Sequence, residues 1–215
     1  SRLHFSPRPV FLGSTWPAPP MEAGSPGRKR SAATQAFYRE AAGGGVKSGA
    51  GAPGEVTRAL TLRGAQQNWA ILHGYKIIEN RTWRIPLGWY ALHSGAQAPP
   101  ECLQQWMRRE VPGIPAEASL PHSAIVGAIH ICEQRTKAQC NGSKWAGGPV
   151  CHVIDKVVRL TSSVPHAGRL GLWEVEPGAL GELQARLGEA EVVENDISSL
   201  APGAAVAAPA KPADG

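Results

Sequence analysis

Apolar and polar positions follow regular patterns only in the middle of the chain. Residues 59–63 alternate between apolar and polar side chains, which predicts a first β-strand. Ala65, Trp69 and Leu72 then recur at helical spacing, and Gly74 is placed to end that short helix. The folded part of the chain is therefore predicted to open with a strand followed by a helix.

The same patterns predict further helices and strands after this pair. One helix opens at Pro99-Pro100, and an amphipathic helix stops at Gly188. Further strands are predicted at residues 76–83, 89–93, 124–132 and 170–175, and residues 150–160 are predicted to form one or two strands. These elements do not alternate as regular βαβ units. They favour a mainly β (α+β) fold, with a mixed sheet or small β-barrel and two or three flanking helices.

Composition separates this middle region from both ends. Six of the seven tryptophans lie between positions 69 and 173, whereas the two ends are rich in Gly, Pro and Ala. Segments this poor in large apolar residues cannot build a core. We therefore predict a disordered basic leader or transit peptide at residues 1–57, one domain at 58–190, and a disordered Ala/Pro-rich tail at 191–215.

Charge and hydropathy narrow the cellular setting. Residues 1–58 carry eight basic and three acidic side chains, residues 59–176 twelve and eight, and residues 177–215 two and six. The basic excess of the leader and the domain favours an anionic partner. No apolar run approaches the roughly 18 residues that span a bilayer, so no membrane association is predicted. We expect an intracellular protein, cytoplasmic or nuclear, or one imported into an organelle by its leader.

The sequence carries no signature of a metal or cofactor. The cysteines at 102, 132, 140 and 151 form no Cys-x-x-Cys pair, so reduced thiols are predicted and a zinc site is not. Neither a Gly-x-Gly-x-x-Gly nor a Walker-type loop occurs, which argues against a dinucleotide or ATP enzyme. No cofactor is therefore expected.

The most unusual stretch is residues 74–83, which combine a lysine, a carboxylate, an arginine and a tryptophan. If this stretch is extended, Glu79, Arg81 and Trp83 share one face and Ile78 points to the other, with Lys76 at the preceding turn. A carboxylate, a guanidinium and an indole on one face suit a planar polar ligand such as a nucleobase. The alternative is a structural ion pair between these charges, which contributes little if it is exposed.

Several motifs follow one another in an order that resembles a known family. They are a strand with Arg63, a helix with Trp69, the element Gly74-x-Lys76-x-x-Glu79-x-Arg81, a strand ending in His93, an apolar strand with Gly127, Trp145 among glycines, and Gly168-Arg169-Leu170-Gly171-Leu172-Trp173. Over about residues 58–176 the chain resembles the ASCH domain family, a branch of the PUA-like superfamily related to the EVE and YTH domains. One departure is that the family's usual Arg-x-Pro-Trp is replaced by a longer spacing between Arg63 and Trp69.

The resemblance implies a PUA-like small β-barrel with a cleft for RNA or a modified nucleobase, lined by the Gly-x-Lys-x-x-Glu-x-Arg element. Trp145 is expected to be exposed for base stacking, whereas Trp106 and Trp173 are expected to be core residues. The candidate nucleic-acid-binding residues are Arg63, Trp69, Lys76, Glu79, Arg81, Trp83, His93, Ser94, Lys144 and Trp145.

Two alternative functions stay open at this point. Some members of the family hydrolyse the acetyl group of N4-acetylcytidine with a lysine at the position of Lys76, a threonine three residues on and a later glutamate. Here Glu79 stands where that threonine would be, and Glu133 is a candidate for the later glutamate. A carboxylate beside Lys76 favours its charged form, which opposes use of the lysine as a general base. The other alternative is a protein-interaction domain in which the charged cluster is structural.

Overall fold

The computed structural model describes residues 53–200, which form three α-helices and seven β-strands. The elements are β1 (Arg58–Leu62), α1 (Ala65–Leu72), β2 (Ile78–Arg81), β3 (Gly88–Ser94), α2 (Glu101–Glu110), β4 (Ala124–Arg135), β5 (Val150–Pro165), β6 (Leu172–Glu174), α3 (Pro177–Glu189) and β7 (Val192–Glu194). Short 3-10 turns lie at Glu117–Ser119, Lys137–Cys140 and Ser198–Leu200. The predicted leader, apart from residues 53–57, and the tail beyond residue 200 lie outside the described residues.

The seven strands form one curled, mixed sheet. Its order is β2-β5-β4-β3-β1-β6, and β7 pairs with β5 beside β2. Every pair is antiparallel except β1 with β3. This architecture confirms the predicted fold class at the level of a mixed α+β fold with a curled, barrel-like sheet and three helices.

Irregularities between β4 and β5 account for much of the curl. The pairing shifts register at three places, between Ile125 and Gly127, between His130 and Ile131, and between Ile131 and Glu133. At the first of these places, residues 160–163 of β5 stand opposite Val126 alone. Extra residues of this kind bend a strand and increase its twist. The bulge at 160–163 therefore leaves the ladder and is available to line a cavity.

Helix α1 packs closely against β4 because position 127 is a glycine. A Cβ atom at Gly127 would lie 2.3 Å from the carbonyl oxygen of Val158 and 2.7 Å from Leu72 Cδ2. Leu72 and Ile71 bury themselves in the core formed with β1, β3 and the middle of the sheet. The absence of a side chain at position 127 thus fixes how near α1 lies to the sheet.

The start of α1 is held by a carboxylate from a distant part of the chain. Glu117 is buried, and its Oε1 and Oε2 accept hydrogen bonds from the backbone N–H groups of Ala65 (2.6 Å) and Gln66 (2.8 Å). Unpaired N–H groups and the helix dipole both favour a negative charge at this end of a helix. Glu117 therefore fixes the end of α1 that lies nearest to β1.

The folded region continues beyond the predicted boundary at residue 190. Residues Val192–Glu194 form β7, which pairs with β5 from Lys156 to Val158. Leu200 is buried at the end of the last 3-10 turn, where its carbonyl accepts a hydrogen bond from Arg135. Apolar side chains in this segment pack against the domain. The tail predicted from the Ala- and Pro-rich composition therefore does not begin at residue 191.

Other local predictions agree with the structure except at their ends. Strand β2 is shorter than residues 76–83, and β5 is a single long strand that runs on to Pro165. In α2, Met107 is buried and Cys102 is exposed. All four cysteines are free thiols.

Candidate functional site

A tight turn after α1 places Lys76 beneath the helix. Gly74 adopts a positive φ of 75°, which a glycine reaches without strain. The backbone N–H groups of Tyr75 and Lys76 both donate to the carbonyl oxygen of Ala70, at 2.9 and 3.1 Å. The chain thus reverses within a few residues and delivers Lys76 to the start of β2.

Lys76 and Glu79 form a buried ion pair. Their exposed fractions are only 4% and 6%. Lys76 Nζ donates to Glu79 Oε2 at 2.5 Å and to the carbonyl oxygen of Ile78 at 2.8 Å. Removal of both charges from water is unfavourable unless they pair and hydrogen-bond in this way. The two residues therefore act as a single structural and electrostatic unit.

The charge state of Glu79 follows from its neighbours. Burial alone would raise the pKa of this carboxyl group, but the Lys76 ammonium and the Arg81 guanidinium offset that effect. The pKa of Glu79 therefore lies below its ordinary value. At neutral pH the site holds a carboxylate between two cations.

Arg81 joins β2 to a strand that is not its neighbour in the sheet. Its Nη2 donates to the carbonyl oxygen of Thr61 in β1 at 3.1 Å. Its Nε lies 3.1 Å from Glu79 Oε1 but makes no hydrogen bond, so that contact is an ion pair without a directed hydrogen bond. The side chain as a whole keeps 22% exposure, and Arg81 lines the recess described below.

His152 of β5 supports the same segment from the other side. Its Nδ1 donates to the carbonyl oxygen of Glu79 at 3.2 Å, and its Nε2 accepts from the backbone N–H of Ile85 at 2.9 Å. Only a neutral imidazole can accept at Nε2. Burial lowers the pKa of His152, in keeping with that neutral tautomer. The ring therefore ties both β2 and the loop after it to β5.

These groups surround an open recess with a volume of about 250 Å³. Besides Lys76, Glu79 and Arg81, it is lined by Leu62, Arg63, Gln67 and Asn80. Three basic side chains thus face one carboxylate, so the lining carries a positive balance. The volume lies just below the roughly 300–1,000 Å³ typical of sites for drug-sized ligands. It suits a single small planar or anionic group.

The loop predicted to expose Trp145 is instead docked on Asn80. Asn80 Nδ2 donates to the carbonyl oxygen of Trp145 at 2.7 Å, and its Oδ1 accepts from Gly147 N at 3.0 Å and from Gly148 N at 3.1 Å. Trp145 is only 8% exposed and packs edge to face on Trp106, with ring centroids 4.9 Å apart. The expectation of an exposed Trp145 is wrong because these glycines allow close docking. Lys144 stays exposed and pairs with Glu110 at 3.2 Å.

Three other candidates lie away from the recess lining. Trp69 stacks on His73 with centroids 3.8 Å apart and, with Ser94, lines a second and larger cavity. Trp83 is half-buried and packs against the core beside α1. Neither tryptophan is among the residues that line the recess.

His93 is buried at the end of β3. Its Nε2 donates to the carbonyl oxygen of His166 at 2.9 Å, and its ring lies edge-on to Trp173, with centroids 5.5 Å apart. Burial lowers the pKa of His93, which favours the neutral ring. Trp173 is buried as predicted. His93 does not line the recess.

Glu133, the candidate for the later glutamate of the hydrolase, lies within β4. Its side chain is exposed, and its Oε2 accepts from Arg135 Nη2 at 2.7 Å. It is not among the residues that line the recess with Lys76.

Sequence reasoning missed several residues that build the site. Gln67, Asn80 and Leu62 line the recess, and His152 and Glu117 hold its walls. Asn80 lies within the Gly-x-Lys-x-x-Glu-x-Arg element, so its position was an available signal. Glu117 and His152 act across gaps of 52 and 73 residues, for which the local pattern gives no signal.

No protein-family model matches the chain, and no curated protein matches it either. Within residues 53–200, no group of three or more His, Cys, Asp or Glu side chains converges as a metal site would require. None of the helices in this region is both long and apolar enough to cross a bilayer.

Proposed function

We propose that this chain binds RNA or a modified nucleobase through the recess beside β2. The observation that carries the proposal is the placement of Arg63, Lys76 and Arg81 around a single buried carboxylate, Glu79. A concave site with a positive balance attracts a phosphate or another anionic group. The preorganised ion cluster keeps these side chains in place before a ligand arrives.

Each side chain in the recess has a distinct part in this proposal. Arg63 is exposed, donates to the carbonyl oxygen of Ala98 at 3.2 Å, and has no described acidic partner, so it suits a phosphate contact. The Lys76 ammonium has three N–H donors, of which two are hydrogen-bonded to the Ile78 carbonyl and to Glu79. Glu79 offers acceptor capacity for an exocyclic amine, since each carboxylate oxygen accepts more than one hydrogen bond.

The same geometry gives less support to hydrolysis of acetylated cytidine. A general base must be able to accept a proton, whereas Lys76 is paired with a carboxylate 2.5 Å away. The lowered pKa of Glu79 keeps that carboxylate charged, and it accepts a hydrogen bond from Lys76 Nζ. Glu133 lies outside the recess lining and pairs with Arg135 instead.

A panel of single-stranded RNA oligonucleotides and nucleosides, including N4-acetylcytidine, tests the proposal. Fluorescence anisotropy and calorimetry should detect binding to the wild-type protein and weaker binding to Arg63→Gln. Arg109→Gln is the matched control, because Arg109 is an exposed arginine on α2 that does not line the recess. Release of cytidine in a Lys76-dependent manner would favour the hydrolase. No binding to any member of the panel would favour a protein-interaction domain.

A further inference from the structure

A cleft of about 770 Å³ lies on another side of α1. One wall is α1 with the residue that follows it, including Asn68, Trp69 and His73, and another is the β5 bulge at residues 160–163. The third wall comes from residues 189–191 and from Val193 after α3. Gln67 of α1 lines the recess, so the helix separates the two sites.

Two polar groups buried in the lining lack partners. Asn68 and Ser94 are 1% and 0% exposed, and neither Asn68 Oδ1 nor Ser94 Oγ has a hydrogen-bond partner in the described chain. Asn68 Nδ2 donates to the carbonyl oxygen of Gly64 at 3.3 Å, so the amide is oriented with its oxygen as the unused atom. Unsatisfied buried polar groups are rare in proteins and unfavourable. An acceptor and a hydroxyl beside a cleft indicate a ligand that carries N–H donors.

The cleft also offers flat and apolar surface. Trp69 stacks on His73 with an angle of 16° between the ring planes. Leu72, Val126 and Leu160 add aliphatic surface to the lining. Planar rings gain favourable contacts when they extend such a stack. The volume lies within the range typical of small-molecule sites, about 300–1,000 Å³.

The charge of the cleft differs from that of the recess. Its charged lining consists of Arg159, Glu189 and Glu191. Partial burial and the nearby Arg159 lower the pKa of His73, so this ring is neutral at pH 7. One guanidinium faces two carboxylates, and this balance does not favour a phosphate.

We infer that this cleft is a second ligand site, separate from the recess, for an uncharged planar heteroaromatic compound that carries N–H donors. Trp69 also stacks on Tyr75, with ring centroids 5.9 Å apart, so the ligand ring would lie against the cleft side of the Trp69–His73 stack and the aliphatic wall. Its N–H groups would reach Asn68 and Ser94. The inference is independent of RNA binding, because it uses neither Arg63 nor the ion cluster.

Calorimetric titration with adenine, cytosine and nicotinamide tests the inference. Nicotinate is the matched counterpart of nicotinamide, because it is an anion without the amide N–H groups. Thr161→Trp places a large ring at an exposed position of the bulge that lines the cleft. Gln105→Trp makes the same kind of change at an exposed position of α2 that lines no described cavity. Circular dichroism and thermal unfolding establish that each variant is folded.

We expect at least one of the three uncharged probes to bind the wild-type protein and to bind more tightly than nicotinate. Thr161→Trp should weaken that binding at least tenfold, and Gln105→Trp should leave it unchanged. Ser94→Ala, which removes only the unpartnered hydroxyl, should weaken it by roughly three- to tenfold. The inference is overturned if none of the probes binds at millimolar concentration, or if Thr161→Trp binds them as the wild type does.

Discussion

The guanidinium of Arg81 donates to the backbone carbonyl of Thr61 across 3.1 Å. The two residues belong to β2 and β1, which three other strands separate in the order of the sheet. The contact can form only because the sheet curls, and it brings the two sides of the recess together. The recess and the curvature of the sheet are therefore linked through one side chain.

Substitution of Arg81 should reduce both stability and binding. Arg81→Gln removes a charged donor to Thr61 and one of the two cations beside Glu79. We expect a loss of about 2 kcal/mol in the free energy of unfolding, as for a hydrogen bond to a charged group. Urea denaturation measures this, with Arg109→Gln as the control, since its exposed pair should contribute at most about 0.5 kcal/mol. Equal losses in the two variants would contradict the bridging role of Arg81.

The buried pair of Lys76 and Glu79 predicts a non-additive double mutant. Glu79→Leu leaves the Lys76 ammonium buried without its carboxylate, which should destabilise the fold by about 3–5 kcal/mol. Lys76→Met combined with Glu79→Leu removes both charges and should recover at least half of that loss. Denaturant unfolding of the single and double variants gives the coupling energy. Additive losses would show that the two side chains do not act as a unit.

Two groups at the site predict separate windows of acid sensitivity. The pKa of His152 is lowered by burial, so its contribution to stability is lost as pH falls below its ordinary value of about 6.5. The pKa of Glu79 is also lowered, against the effect of burial, by Lys76 and Arg81. Its contribution is therefore present above about 4.3 and is lost as pH falls further.

Urea unfolding from pH 7.5 to 3.5 measures these windows. His152→Asn should flatten the upper part of the curve relative to the wild type, and Glu79→Gln should flatten the lower part. Burial also lowers the pKa of His93, so this residue contributes to the pH dependence in the upper window. Its contribution is the same in the wild type and in His152→Asn and therefore cancels when the two curves are compared. Parallel curves for the wild type and His152→Asn above pH 5 would count against the neutral, hydrogen-bonded ring.

Gly127 should be intolerant of any side chain. An added Cβ would lie 2.3 Å from the carbonyl oxygen of Val158 and 2.7 Å from Leu72, so Gly127→Ala must displace α1 or the backbone of β5. We expect a loss of about 3 kcal/mol, at the upper end of overpacking effects. Gly181→Ala is the control: it lies within α3 with open space around its added Cβ and should stabilise the helix by about 0.5–1 kcal/mol. Thermal unfolding of both variants measures this difference. If alanine were tolerated equally well at positions 127 and 181, the close packing of α1 on Gly127 would be contradicted.

The charged side of the site was predictable because it is local in sequence. Alternation in an extended segment places Glu79 and Arg81 on one side and Ile78 in the core, as the structure shows. Trp83, predicted on the same side as Glu79 and Arg81, packs against the core instead. The turn at Gly74 likewise places Lys76 next to them. Short-range geometry was sufficient for these three residues.

The remaining walls depend on contacts that no local pattern encodes. Trp145 is buried because its loop meets Asn80, 65 residues earlier in the chain. Glu117 fixes the start of α1 from a loop, and the bulge at 160–163 depends on the register between β4 and β5. From the sequence alone, Trp145 among its glycines and Glu117 in its loop would both be expected to be exposed. Their burial depends on partners that only the tertiary structure brings close.

If the recess binds the phosphate of a nucleic acid, the affinity for RNA should depend on salt concentration through Arg63. Anisotropy titrations of a labelled single-stranded RNA at several salt concentrations give the slope of log K against log salt. If Arg63 contacts a phosphate, Arg63→Gln should reduce the magnitude of this slope by about 0.7 relative to the wild type. Arg109→Gln, by contrast, should leave the slope unchanged. Identical slopes and affinities for the wild type and Arg63→Gln, or no binding of RNA by the wild type at low salt, would contradict the account.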